Sequence, residues 1–226
     1  MIVALNNKSN LDKNEFISYL DNLKKINTNS TLILCPTYLN IPLVDGLLLG
    51  SQNVSKTDNG AFTGEISARE LKSYGVKYSI VGHSERREYQ KETNEDIKEK
   101  VIKLLENDIT PILCIGESKI ERENNTYKEV LKEELSILND IDSSNIIIAY
   151  EPIWSIGTGI IPTNSEIEEV FTLIKSILPN NKVLYGGSAN NDNIDTLKTI
   201  SLIDGYLLGG LSLKPDKLQE FLDKLN

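Results

Sequence analysis

Histidine, cysteine and tryptophan are scarce in this chain of 226 residues, which holds one, two and one of them. One histidine, with no spaced set of carboxylates, supplies no sensible ligand group for a hydrolytic metal centre. The two cysteines, Cys35 and Cys114, each stand inside an apolar run, LILCP and PILCIG. They read as buried, reduced thiols rather than as a disulfide. Positive charge is also short, with 24 lysines and arginines against 33 acidic residues and a net of -9. That balance excludes the wide basic footprint that binds nucleic acid or an anionic membrane, so an anionic ligand has to be held by local features. No run of about 18 consecutive apolar residues occurs, and Met1 leads straight into an apolar pentad without the regions of a secretion signal. The expected address is therefore the cytoplasm, with no membrane partner. No Pro/Gly/Ser-rich or charge-block linker divides the chain, and 39% of it is hydrophobic. Residues 1–226 read as one domain with a real core.

What is present is a repeating grammar. Eight short apolar runs recur: residues 1–6, 31–36, 46–54, 76–83, 111–117, 145–153, 182–188 and 203–210. Runs apolar on both faces mark parallel strands covered by helices. Between them, residues 11–26, 93–107, 127–141 and 165–178 carry apolar residues at helical spacing, and a last helix is expected from Pro215. Thr93 with Asp96, and Thr163 with Glu166, form start signals in which a side chain caps orphan N–H groups. Eight β-then-α units fit an α/β fold, a (β/α)8 barrel; an open doubly wound sheet has the same local grammar. The second crossover is irregular, because only residues 37–45, with Pro42 inside, separate strands two and three. A helical turn is expected there instead of a full helix.

In a barrel, reactive groups sit at the C-terminal ends of the strands. Polar residues gather there: Asn6 and Lys8 after the first strand, Gln52 and Asn53 after the third, His83 after the fourth, Glu151 after the sixth, Ser188 after the seventh, and Gly209 and Gly210 after the eighth. A lone strand-end histidine is more often structural, but His83 precedes a helix start, whose positive end favours the neutral ring. Glu151 interrupts an apolar run just before Pro152, a setting that raises the pKa of a base. The glycine pairs of YGGSAN and LLGGLSL let backbone N–H groups approach an anion.

Several motifs together resemble the triosephosphate isomerase family. They are N-x-K-x-N at Asn6 to Asn10, DNGAFTGE at 58–65, IVGHSERR at 80–87, LCIGE at 113–117, AYEPIWSIGTG at 149–159, YGGSAN at 185–190 and DGYLLGG at 204–210. The resemblance implies a TIM barrel that interconverts dihydroxyacetone phosphate and glyceraldehyde 3-phosphate through an enediolate, with no metal and no organic cofactor. It implies Glu151 as base, with His83, Lys8 and Asn6 stabilising charge on the oxygens. It places the phosphate among Gly157, Ser188, Gly209 and Gly210, under a lid at about 152–162 that excludes water. Ser84, Glu85, Cys114 and Tyr185 take supporting places. It also implies a homodimer in which Thr63, at the tip of the 58–65 loop, enters the partner near Asn6 and Lys8.

Three features depart from the family pattern. Asn7 stands where a tryptophan is usual, the second crossover is clipped, and the second hinge of the lid reads Ile160, Ile161, Pro162. Proline has no N–H, so Pro162 is expected to delete one hydrogen bond that latches the closed lid to Tyr185. Two other readings stay open at this stage. One is a sugar-phosphate aldolase or synthase, which needs a Schiff-base lysine that only Lys8 offers. The other is an inactive barrel kept for binding, against which the joint presence of Asn6, Lys8, His83 and Glu151 argues.

Overall fold

The computed structural model describes residues 1–156 and 161–225. Strands β1 (Ile2–Asn6), β2 (Thr31–Cys35), β3 (Leu48–Ser51), β4 (Tyr78–Val81), β5 (Thr110–Ile115), β6 (Ile147–Tyr150), β7 (Val183–Tyr185) and β8 (Gly205–Leu208) are all parallel and paired in chain order. β8 pairs back onto β1, with Ile2 opposite Gly205, which closes the barrel. The open sheet is thereby excluded. Every strand is shorter than its apolar run, and all but the first end before it, because those runs continue past the last ladder bond into the loops.

The connections hold α1 (Lys13–Leu23), α2 (Ala68–Ser73), α3 (Ser84–Gln90), α4 (Asn94–Glu106), α5 (Lys119–Glu123), α6 (Tyr127–Ser136), α7 (Asn164–Ile177), α8 (Ile194–Leu197) and α9 (Pro215–Leu225). Thr93 and Thr163 cap α4 and α7 in reciprocal boxes with Asp96 and Glu166, as expected. α7 shows why such a segment docks. Its buried residues Ile167, Val170, Phe171 and Ile174 follow helical spacing along one stripe. Phe171 meets Tyr150 of β6 edge-on, with ring centroids 6.1 Å apart. Burying one such ring is worth about 2–3 kcal/mol.

Two apolar layers result from the alternation of strand side chains. Ala4, Ile33, Cys35, Ile80, Ile112, Cys114, Ala149, Leu184 and Leu207 fill the barrel interior. Their neighbours in sequence, such as Leu5, Leu34, Val81, Leu113, Ile148 and Tyr206, pack outward in the larger cluster that holds the helices. The second crossover is a 3-10 turn, Tyr38–Leu43, with Pro42 inside. It buries Ile41 and is tied to the start of α1 by Asn40 Nδ2, which donates to the Leu11 carbonyl at 3.3 Å. Among the described residues no helix is long and apolar enough to cross a membrane.

Candidate active site

The same two-residue alternation that fills the barrel carries the polar residues to its mouth. Two positions beyond the interior residues Ala4, Cys114, Ala149, Leu184 and Leu207 stand Asn6, Gly116, Glu151, Gly186 and Gly209. Extending the registers Ile115 to Tyr150 and Tyr150 to Tyr185 by one residue sets Gly116 and Gly186 on either side of Glu151. Both must be small. A Cβ on Gly116 would lie 1.8 Å from the Glu151 carbonyl oxygen, and one on Gly186 would lie 3.0 Å from Glu151 Cγ. The sequence reading gave Gly116 no role and Gly186 only a place in the glycine pair that approaches an anion, since their task beside Glu151 appears only once the strands are in register.

Glu151 is 2% exposed. Its Oε1 lies 2.9 Å from His83 Nε2, and its Oε2 accepts the Ser84 backbone N–H at 3.0 Å. Gly82, at a left-handed φ of 69°, turns the chain out of β4 and delivers His83 as the N-cap of α3. There His83 Nδ1 accepts the Glu85 backbone N–H at 3.2 Å. A nitrogen that accepts carries no proton, so the ring holds its hydrogen on Nε2, aimed at Glu151. Two influences act on the ring. Burial disfavours the imidazolium, but the facing Glu151 carboxylate outweighs it and raises the His83 pKa above its ordinary value. For Glu151, burial pushes upward, yet His83, the Ser84 N–H and Lys8 together hold the carboxyl below its ordinary value. The expectation of a raised base is thus corrected, while His83 stands at the helix start as expected; each group also sits against the other, a partner that linear sequence does not reveal.

Lys8 adopts a left-handed φ of 52°, uncommon for a residue with a side chain. The turn is held by its own N–H on Asn6 Oδ1 at 3.1 Å and by Gln52 Nε2, which donates to both the Lys8 and Cys35 carbonyls at 2.9 Å. Lys8 Nζ pairs with Glu85 Oε1 at 2.6 Å. Asn6, Lys8, His83, Glu151, Ser188, Gly209 and Gly210 all line one cavity of roughly 620 Å³. The Ser188 hydroxyl donates to the Ser155 carbonyl at 2.6 Å, and its own carbonyl accepts from Asn193 Nδ2. Gly157, expected beside them, lies outside the described residues. Cys114 is buried next to Glu151, and burial lifts its thiol well above the ordinary range, so it is no nucleophile. Tyr185 is buried on the outer face of β7. The 58–65 loop, Thr63 included, is solvent-exposed, with Phe62 48% exposed at its tip.

Sequence reading also missed the cluster behind the turn that follows Glu151. Glu117, fully buried, accepts from the Tyr150 hydroxyl at 3.0 Å, from Trp154 Nε1 at 2.9 Å and from Arg122 Nε at 3.0 Å. Arg122 lies over the Tyr127 ring at 4.0 Å. The carboxylate so pins the 3-10 turn Ile153–Ser155, which directly follows Glu151 and Pro152.

A closed parallel barrel whose mouth gathers an imidazole and a carboxylate in contact, a lysine beside them and two glycine turns is an enzyme of the acid–base class. Residues 1–225 match the family model described as triosephosphate isomerase. The chain is similar to proteins of that name from Mycoplasmopsis agalactiae, 42% identical over 92% of this chain and 81% of the relative, and from Mesomycoplasma hyopneumoniae strain 232, 40% identical over 91% and 88%. It is also 38% identical to the one from Trichodesmium erythraeum, over 96% of this chain and 94% of the relative. The chain belongs to the triosephosphate isomerase family.

Proposed function

We propose that this chain interconverts dihydroxyacetone phosphate and glyceraldehyde 3-phosphate, with Glu151 moving the proton and His83 polarising the carbonyl. The contact between Glu151 and His83 carries the reading. Both oxygens of Glu151 are occupied in the resting site, by His83 and by the Ser84 N–H. A substrate carbonyl that takes the His83 Nε2–H competes directly with Glu151 for that proton. As the contact is exchanged, the carboxylate loses the neighbour that weakens it as a base, while its burial, which strengthens it, stays. Glu151 then takes a proton from the carbon beside the carbonyl and returns it to the adjacent carbon, while the hydroxyl proton passes by way of His83 from one oxygen of the enediolate to the other. Lys8, Asn6 and His83 offset charge on the oxygens of the enediolate, and donors fixed in advance act strongly in a site poor in water.

The phosphate is assigned to the turns of Gly209, Gly210 and Ser188, with Gly157 completing the set; the net charge of -9 makes such a local cradle necessary. For the assembly, a homodimer is proposed in which the exposed 58–65 loop fills the partner's second cavity, roughly 390 Å³, lined by Asn6, Lys8, Gln52 and Glu85 among others. Sedimentation of the parent against Phe62→Asp checks this: a dimer in both, or a monomer in both, contradicts it. A coupled assay on glyceraldehyde 3-phosphate tests the chemistry. Glu151→Asp withdraws the carboxylate by about 1 Å and is expected to cost about 100-fold in kcat. An inactive parent overturns the assignment, and full activity of the variant overturns the role of Glu151.

A further inference from the structure

Asn7 stands between Asn6 and Lys8 and is 2% exposed, a buried amide behind the mouth. Its Nδ2 lies 3.3 Å from the Tyr19 hydroxyl on α1 and 3.3 Å from Ser212 Oγ. Ser212 is fully buried in the 3-10 turn Gly210–Leu213, the continuation of the glycine pair. Its hydroxyl donates to the Asn6 carbonyl at 3.2 Å. A hydroxyl has one proton, so Ser212 meets Asn7 as an acceptor, and the amide has to present its NH2 on that side. Asn7 Oδ1, in contrast, is buried with no partner among the described residues. An apolar side chain of the same size would fill this space without leaving an oxygen unpaired. Packing therefore does not account for the amide; its two donated bonds do.

One of those bonds ties together the two halves of the mouth. Asn6 and Lys8, proposed to act on the carbonyl oxygen, and Gly209 and Gly210, proposed to hold the phosphate, line the same cavity. The two turns abut, since a Cβ on Gly209 would meet Lys8 Cε at 3.4 Å. We infer that Asn7 is a positioning residue that, through Ser212, locks the Asn6–Lys8 turn to the glycine turn and so fixes the distance between the carbonyl-polarising groups and the phosphate cradle. This rests on the assignment of the phosphate to Gly209 and Gly210.

Three variants separate the strut from general loosening. Asn7→Leu keeps the volume and removes both donated bonds; Ser212→Ala removes the bond from Asn7 together with the hydroxyl's own bond to the Asn6 carbonyl; Tyr19→Phe breaks only the bond to α1. KM for glyceraldehyde 3-phosphate and the inhibition constant of inorganic phosphate are each expected to rise about fivefold in Asn7→Leu, the worth of one hydrogen bond between the turns, and by at least as much in Ser212→Ala, with kcat of Asn7→Leu within about twofold of the parent. The double variant is expected to be no worse than Ser212→Ala alone, because that variant already lacks the acceptor of the Asn7 bond. Tyr19→Phe is expected to leave both constants unchanged. Unchanged constants in Asn7→Leu, losses that add in the double variant, or an equal rise in Tyr19→Phe would each overturn the proposal. If Asn7→Leu fails to fold, Asn7→Met, which also lacks the donor, takes its place against the parent and Tyr19→Phe, and unchanged constants in it overturn the proposal. Gly210→Val distinguishes the two layers of the argument, since a Cβ there meets nothing within 4 Å. Phosphate affinity indifferent to Gly210→Val takes down the cradle and the strut together. Affinity that responds to Gly210→Val and not to Asn7→Leu takes down the strut alone.

Discussion

Replacing Glu134 by glutamine should flatten the dependence of stability on pH. Glu134 projects from α6 onto the end of β5, where its Oε2 accepts the Gly116 N–H at 2.8 Å and its Oε1 lies 3.4 Å from Arg87 Nε. Burial dominates over both partners and lifts the carboxyl from an ordinary 4.5 to about 7. Between those values the folded chain keeps a proton that the unfolded chain has released. The unfolded state then binds fewer protons, so stability falls as pH rises through the window. At about 1.4 kcal/mol per unit, the penalty reaches about 3 kcal/mol once Glu134 is ionised. Glutamine accepts the same N–H and cannot ionise, so Glu134→Gln should match the parent near pH 5 and exceed it by about 3 kcal/mol near pH 8. Urea unfolding followed by circular dichroism at about pH 5, 6, 7 and 8 measures the difference. His83, whose pKa is also raised, changes stability in the same direction but is present in both proteins and cancels. Parallel profiles for parent and variant would refute the reasoning.

Gly116→Ala brings a methyl group against the Glu151 carbonyl, 1.8 Å from where the Cβ must stand, so the base is displaced. A fall of about 100-fold in kcat/KM with an intact barrel spectrum is expected, and activity within a few-fold of the parent contradicts it. Glu117→Leu strands Arg122, 2.8 Å from the lost carboxylate, and leaves Tyr150 and Trp154 without their acceptor. Because Arg122 is partly exposed, the expected loss is about 2 kcal/mol, below the 3–5 of a fully buried pair; an unchanged urea midpoint sinks this account. Pro162→Ala restores a backbone N–H at the second hinge of the lid. It should tighten binding of an enediolate mimic about fivefold, and equal inhibition constants for the two proteins count against a missing latch.

The barrel was legible because its signals are local and repeated. The apolar runs of all eight strands, the caps at Thr93 and Thr163 and the shortened crossover at Pro42 each follow from spacing within a few residues. The short helices α2, α5 and α8 were not legible: α2 buries only Ala68 and Leu71, and α5 buries nothing, so no apolar period announces them. At the site, strand-end position was enough to nominate Asn6, Lys8, His83 and Glu151, which line one cavity. What escaped depends on register between strands far apart in the chain. Gly116 acquires a role, and Gly186 a second one, only beside Glu151, and the electrostatic state of Glu151 depends on His83, 68 positions earlier. A pKa belongs to an environment, and that environment is assembled only on closure of the barrel.

The chain has a single tryptophan, and folding puts it at one informative place. Trp154 sits three residues after Glu151, with its indole N–H on the Glu117 carboxylate and the Arg122 guanidinium 5.9 Å from its ring centre. An indole so placed emits light from an unusually polar pocket, and no second indole contaminates the signal. The protein thus carries its own optical probe at the doorstep of the site: shifts in emission on adding a phosphorylated ligand report the turn beside the base, without any dye and without altering a residue.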